Sequence, residues 1–132
     1  MAKLRHVAMT VPDPEATAKF YEKSFEMERV YESKFGVLLS DGTVSLAILN
    51  FPDDKTAGDE RGKDFFGLHH IGFVVDDLDD AGKTVTENGA NYHMRLPGRQ
   101  HSDTEQKYRD PNGVVFDLVN ATYATKVWKA KQ

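Results

Sequence analysis

The sequence predicts an α+β domain in which two βαβββ modules form a curved, barrel-like sheet cleft. Three observations carry that expectation. The chain repeats itself: "LRHVAMTVPD" (4–13) aligns with "LHHIGFVVDD" (68–77), setting Leu4 on Leu68, His6 on His70, Val7 on Ile71, Val11 on Val75 and Asp13 on Asp77. The offset, from position 6 to position 70, is close to half of the 132 residues. Each copy is then followed by a helix signal and by three strand signals. Between the halves runs "NFPDDKTAGDERGKD" (50–64), a polar, Gly- and Pro-punctuated stretch that reads as a solvated connector. The expected organisation is one domain over 1–132: module one about 1–50, connector about 51–66, module two about 67–121, C-terminal segment 122–132.

Taken in order, the first strand leads to Asp13, a helix N-cap, with Pro14 suited to the first helical position and Glu15 to the positive end of the helix dipole. Within "PEATAKFYEKSF", Phe20 with Ser24 and Tyr21 with Phe25 are spaced for one side of the helix. "MERVYES", "FGVLLSD" and "TVSLAILNF" are strands, with Asp41-Gly42 as a hairpin turn. In the second half "DDLDDAGKTVTENGA" carries a thin apolar stripe of Leu78, Ala81 and Val85, weakened by Gly82 and stopped by Asn88-Gly89. "ANYHMRL", "EQKYRD" and "GVVFDLVN" are its strands, with "DPNG" (110–113) as a turn. The last segment, "ATYATKVWKAKQ", is expected to form a short helix whose Tyr123, Val127 and Trp128 dock.

The bulk numbers exclude several classes. Hydrophobic residues make up 39% and charged residues 29%, as in a globular protein rather than a disordered one. A net charge of −4 with no Lys/Arg cluster gives no nucleic-acid footprint. No apolar run reaches the roughly 20 residues of a membrane helix, and the N-terminus has no signal-peptide core. With zero cysteines, any metal must be held by His, Asp, Glu or water, which suits a cytoplasmic protein. There is no Ser-His-Asp constellation and no phosphate-cradling Gly loop.

Strand alternation separates the adjacent histidines. In the first strand Arg5, Val7, Met9 and Val11 should pack under the helix, leaving Leu4, His6, Ala8 and Thr10 on the other face. In the fifth, His69, Ile71, Phe73 and Val75 take the helix side, leaving Leu68, His70, Gly72 and Val74. His69 thus shares the register of Arg5 and is expected to have no chemistry. In "GVVFDLVN" the non-helix face holds Val115, Asp117 and Val119. A lone carboxylate in an apolar strand is costly to bury unless paired or metal-bound. His6, His70 and Asp117 therefore form a candidate metal site, two imidazoles and one carboxylate, a set that suits Fe, Mn, Zn, Ni or Co. His101, in the loop "PGRQHSD", and Tyr108, near the "DPNG" turn, are candidate catalytic groups, against the plain alternatives of a solvated histidine and a packed tyrosine.

The paired modules, "LRHVAMTVPDPEATAKFYEKSF", "LHHIGFVVDDLDDA" and "YRDPNGVVFDLVN" together resemble the vicinal oxygen chelate superfamily, over nearly the whole chain. That superfamily includes glyoxalase I, methylmalonyl-CoA epimerase, extradiol dioxygenases, fosfomycin-resistance transferases and bleomycin-resistance proteins. The resemblance implies that His6 and His70 are metal ligands and that Asp117 stands where the pattern has Glu. In glyoxalase I and the epimerase a further Glu or Gln comes from the last strand of module one, where this chain has Ala47. The late His of the dioxygenases is absent, Tyr108 is one residue out of their register, and Ala8 stands where the fosfomycin class has Thr. The expectation is a divalent-metal enzyme acting on a small oxygen-rich substrate, with the gap at Ala47 tilting it towards dioxygenase or lyase rather than isomerase chemistry. The alternative is a metal-free small-molecule binding protein of the bleomycin-resistance kind. A homodimer is expected, with Trp128 as its docking handle.

Overall fold

The computed structural model describes residues 1–57, 61–94 and 104–131. Its elements run β1 (Lys3–Thr10), α1 (Pro14–Phe25), β2 (Glu28–Ser33), β3 (Gly36–Ser40), β4 (Ser45–Leu49), α2 (Asp54–Ala57), β5 (Gly67–Val75), α3 (Leu78–Glu87), β6 (Asn91–Met94), β7 (Glu105–Arg109), β8 (Val115–Asn120) and α4 (Ala121–Tyr123). The last helix continues into a π turn, Ala124–Trp128. The strands form one open mixed sheet ordered β2-β3-β4-β1-β5-β8-β7-β6, so each module contributes four neighbouring strands. This is the α+β fold with two βαβββ modules.

The modules join where β1 pairs antiparallel with β5, and Val7 lies opposite Ile71. Those two residues are also repeat equivalents, so a local two-fold axis passes between them. The caps on either side of that seam are duplicated. Asp13 accepts a hydrogen bond from the Ala16 amide and caps α1, while Asp77 accepts one from the Asp80 amide and caps α3. The β1–β5 register slips twice, leaving Arg5 as the extra residue of β1 and His69 as that of β5.

Alternation divides the sheet as expected. On one face α1 lays Ala18 over Val37, Leu39, Leu46 and Ile48. On the same face α3 sits over Tyr108, Phe116 and Leu118 through Leu78 and Ala81. Gly82 belongs to this contact: a methyl group there would collide with the Tyr108 hydroxyl, so its low helix propensity is offset by close packing. Phe20 and Phe25 of α1 lie exposed. No helix among the described residues is long and apolar enough to cross a membrane.

The other face is covered by the chain's own end. Ala124, Trp128 and Ala130 pack with Ala8, Leu38, Ala47, Val74 and Val119 into one apolar cluster. The segment is fastened by the Lys131 amide donating to the Gly42 carbonyl, and by Arg5 Nε and Ser40 Oγ donating to the carbonyls of Lys131 and Lys129. The short C-terminal helix does form, and it docks within its own chain. Trp128 is buried there, so it is not a handle for a second copy. The connector also differs from a purely solvated loop, since it folds α2 and buries Ala57.

Candidate metal centre

One rung of the sheet carries most of the site. Ser45 is the register partner of His6, His6 of Gly72, Gly72 of Asp117, and Asp117 of Lys107, across β4, β1, β5, β8 and β7. His70, two residues back along β5, lies on the same face. Because the local two-fold passes through Val7 and Ile71, His6 and His70 each sit one residue before it and meet across the seam. Their ring centroids are 5.4 Å apart.

The three ligand atoms of His6, His70 and Asp117 lie within 4.8 Å of one another. His70 Nε2 is 3.2 Å from Asp117 Oδ2. His6 Nδ1 is 2.5 Å from the Ser45 hydroxyl, which is fully buried. Gly72 leaves room at the centre of the rung, and the Trp128 ring fills it. A methyl group on Gly72 would sit 2.7 Å from Trp128 Cη2 and 3.0 Å from His6 Cβ. Trp128 stacks on His6 at 4.5 Å with the planes 5° apart.

The sequence reading missed Lys107. Its ammonium lies 2.5 Å from Asp117 Oδ1 and 3.3 Å from Glu105 Oε1, with both carboxylates buried and the lysine nearly so. The signal was available: counting outward from the turn at Asp110–Gly113 sets Lys107 opposite Asp117.

Electrostatics give each group a definite form. Burial, helped by neighbouring His70, pushes His6 down to about 3, so it is a neutral imidazole at pH 7. For Asp117 burial works against ionisation, but Lys107 and His70 outweigh it and hold the carboxyl well below its usual range. For Lys107 burial favours the neutral amine, but the Asp117 and Glu105 carboxylates overcome it and hold the ammonium above its ordinary range. A divalent ion needs unprotonated donors, and His6 and Asp117 supply them. Lys107 engages Oδ1 while His70 Nε2 faces Oδ2, leaving one carboxylate oxygen for a metal. The donor set fits.

His69 is not the plain outer-face residue that alternation implied. As the extra residue of the β5 bulge it turns its ring edge to its neighbour. Its Nδ1 is 2.9 Å from His70 Nδ1 and its Nε2 is 2.7 Å from the Ala57 carbonyl oxygen. Tyr108 is on the opposite face from the triad. It stacks on Phe116 and donates its hydroxyl to Gln106 Oε1 at 3.0 Å. Burial pushes its phenol up. His101 lies outside the described residues. Ala47 is buried in the same apolar cluster as Trp128, so among the described residues apolar side chains occupy the vacancy expected beside it, and the reason for favouring dioxygen chemistry falls away. Two cavities lie elsewhere, one beside Gly82 and Tyr108 and one beside Arg29 and Lys129.

A family model described as the Glyoxalase/Bleomycin resistance protein/Dioxygenase superfamily matches residues 3–118. Among solved structures, a methylmalonyl-CoA epimerase in complex with methylmalonyl-CoA and NH4+ superposes with a TM-score of 0.71 at 21% identity, covering 91% of this chain and 94% of that one. A glutamine-to-alanine variant of the Streptomyces coelicolor methylmalonyl-CoA epimerase, in complex with 2-nitronate-propionyl-CoA, gives 0.68 at 23% identity, covering 89% and 96%. The enzyme of that name from Mycobacterium tuberculosis gives 0.66 at 22%, covering 89% and 86%. At these identities the likeness is one of fold. No curated protein sequence matches the chain.

Proposed function

Because this chain belongs to the Glyoxalase/Bleomycin resistance protein/Dioxygenase superfamily, we propose that His6, His70 and Asp117 hold one divalent metal ion in an enzyme that moves a proton next to a carbonyl. The substrate is a small oxygen-rich acid or ester that presents two oxygens to the ion. The observation carrying this is the buried convergence of three donors, brought from both modules onto one face by the repeat. When bound, the ion supplies Lewis acidity that stabilises enolate-like charge.

The chain's own residues do the rest. Ser45 fixes the His6 ring through Nδ1, and Lys107 holds the outer oxygen of Asp117 so that the carboxylate cannot rotate away from the imidazoles. The apolar cover around Trp128 keeps water from the centre, which strengthens each of these charges. An isomerase is preferred over a dioxygenase or lyase on two grounds. Among the described residues Ala47 is enclosed in an apolar cluster, and the similar folds above are epimerases, two of them in complex with acyl-CoA compounds. We further propose a homodimer, tested by sedimentation equilibrium.

A second reading, a metal-free binding protein, has its own support. Lys107 already neutralises Asp117, and among the described residues no buried side-chain polar atom lacks a hydrogen-bond partner. Metal analysis of untagged protein decides between the two. The enzyme reading expects one divalent ion per chain in the wild type and none in His70→Ala. Equal metal content in the two proteins would overturn it. Deuterium uptake from D2O at C2 of methylmalonyl-CoA, lost in His70→Ala, is the expected sign of isomerase chemistry.

A further inference from the structure

We propose that His69 is a positioning residue that fixes the tautomer of His70, through a hydrogen-bond chain running from the connector into the metal centre. This deepens the metal reading above and rests on it only for its consequence, not for its geometry.

The Ala57 carbonyl oxygen can only accept, so His69 Nε2, 2.7 Å away, must carry a hydrogen. In a neutral His69 the other ring nitrogen, Nδ1, is then an acceptor. Its partner at 2.9 Å is His70 Nδ1, which must donate. A neutral His70 is thereby the Nδ1–H tautomer, with its lone pair on Nε2. That nitrogen faces Asp117 Oδ2 at 3.2 Å, on the side where His6 also points a ligand atom. Two lone pairs facing one another call for a cation between them, either a proton or a metal ion. The chain therefore leaves Nε2 available and turned to the centre.

The position of His69 has a structural cause. An unbroken β5 would turn it to the helix face, 180° from His70. The bulge opposite Ala8 and Met9 brings the ring edge round, and Phe51 packs against the ring at 5.3 Å between centroids. Ala57, buried at the end of α2, brings its carbonyl to the ring's far edge. The connector between the modules thus reaches the metal centre through one carbonyl and two imidazoles. Orientation of a ligating imidazole by a hydrogen bond at its other nitrogen is the usual means of fixing its tautomer.

The test uses His69→Leu, which removes the acceptor, and His69→Asn, which keeps one. Long-range 1H–15N spectra of the metal-free, 15N-labelled protein read the His70 tautomer directly, and zinc competition against a chromophoric chelator reads affinity. In the wild type His70 Nδ1 should carry a hydrogen, with Nε2 bare or, where a proton stands in for the metal ion, protonated as well. In His69→Leu that pattern should be lost and zinc affinity should fall about 10- to 100-fold, with His69→Asn recovering most of both. An Nε2–H tautomer in the wild type would overturn the proposal. So would a tautomer indifferent to His69→Leu, or a wild type that binds zinc but no more tightly than His69→Leu does. A tautomer that changes as expected in a protein that never binds zinc would support the role of His69 and overturn the metal reading instead.

Discussion

Replacing Lys107 by Met should make the metal-free protein much less stable and should make its folding depend on a divalent ion. The ammonium sits 2.5 Å from Asp117 and 3.3 Å from Glu105. At an effective dielectric near 20 those contacts are worth roughly 7 and roughly 5 kcal/mol of attraction. Most of this is offset by the cost of taking three charges out of water. The loss on truncation is governed by what remains: two buried carboxylates on neighbouring strands with no cation. Removing one partner of such a group costs about 3–5 kcal/mol. With a urea dependence of about 1.5 kcal/mol per molar, the midpoint followed by far-UV circular dichroism at pH 7 in chelator should fall by about 2–3 M. Adding zinc at 100 times its dissociation constant returns about 2.7 kcal/mol by linkage, so the midpoint should climb back most of the way. A metal-free Lys107→Met protein within about 1 kcal/mol of the wild type would refute the buried ion-pair network.

Other perturbations reach the same face. His6 is held at about 3, against about 6.5 when unfolded, so the unfolded chain binds more protons between those values and stability falls as pH drops through that window. The full effect is about 5 kcal/mol by pH 3, read by urea titrations at several pH values, and it should vanish in His6→Asn. Gly72→Ala forces a methyl against Trp128 and His6 and should cost about 1–3 kcal/mol in the same assay; a neutral result would mean that the ring does not rest there. Tyr108→Phe removes one hydrogen bond to Gln106 and should cost about 1 kcal/mol while leaving zinc affinity unchanged, and a large loss of affinity would return Tyr108 to the site.

The parts of the site that were legible in sequence are those fixed by periodicity. The constant offset between the two copies and the two-residue alternation of strands suffice to put His6 and His70 on one face, and the oddity of a carboxylate among valines marks Asp117. What escaped depends on pairing between strands. Lys107 looked like an ordinary charge in "EQKYRD" because its meaning comes from standing opposite Asp117 across a hairpin. Tyr108 and Lys107 are neighbours in sequence, and only the pairing with β8 tells which of them stands opposite Asp117. The bulges at Arg5 and His69 break the period-two rule at the residues it was used to dismiss, and no composition signal announces a bulge. Ala47 read as an opening because the sequence does not say that residues 121–130 return to cover it. The carbonyl of Ala57 carries no side-chain signature at all.

The position of Trp128 has a practical consequence. It is the single tryptophan of the chain, and its indole lies flat on His6. All indole emission from this protein therefore arises at the wall of the candidate site, with no background from elsewhere. Quenching by a protonated or metal-bound imidazole acts over such short range that occupancy of the centre, or movement of the C-terminal segment away from it, becomes visible as an optical signal. The molecule carries its own dye.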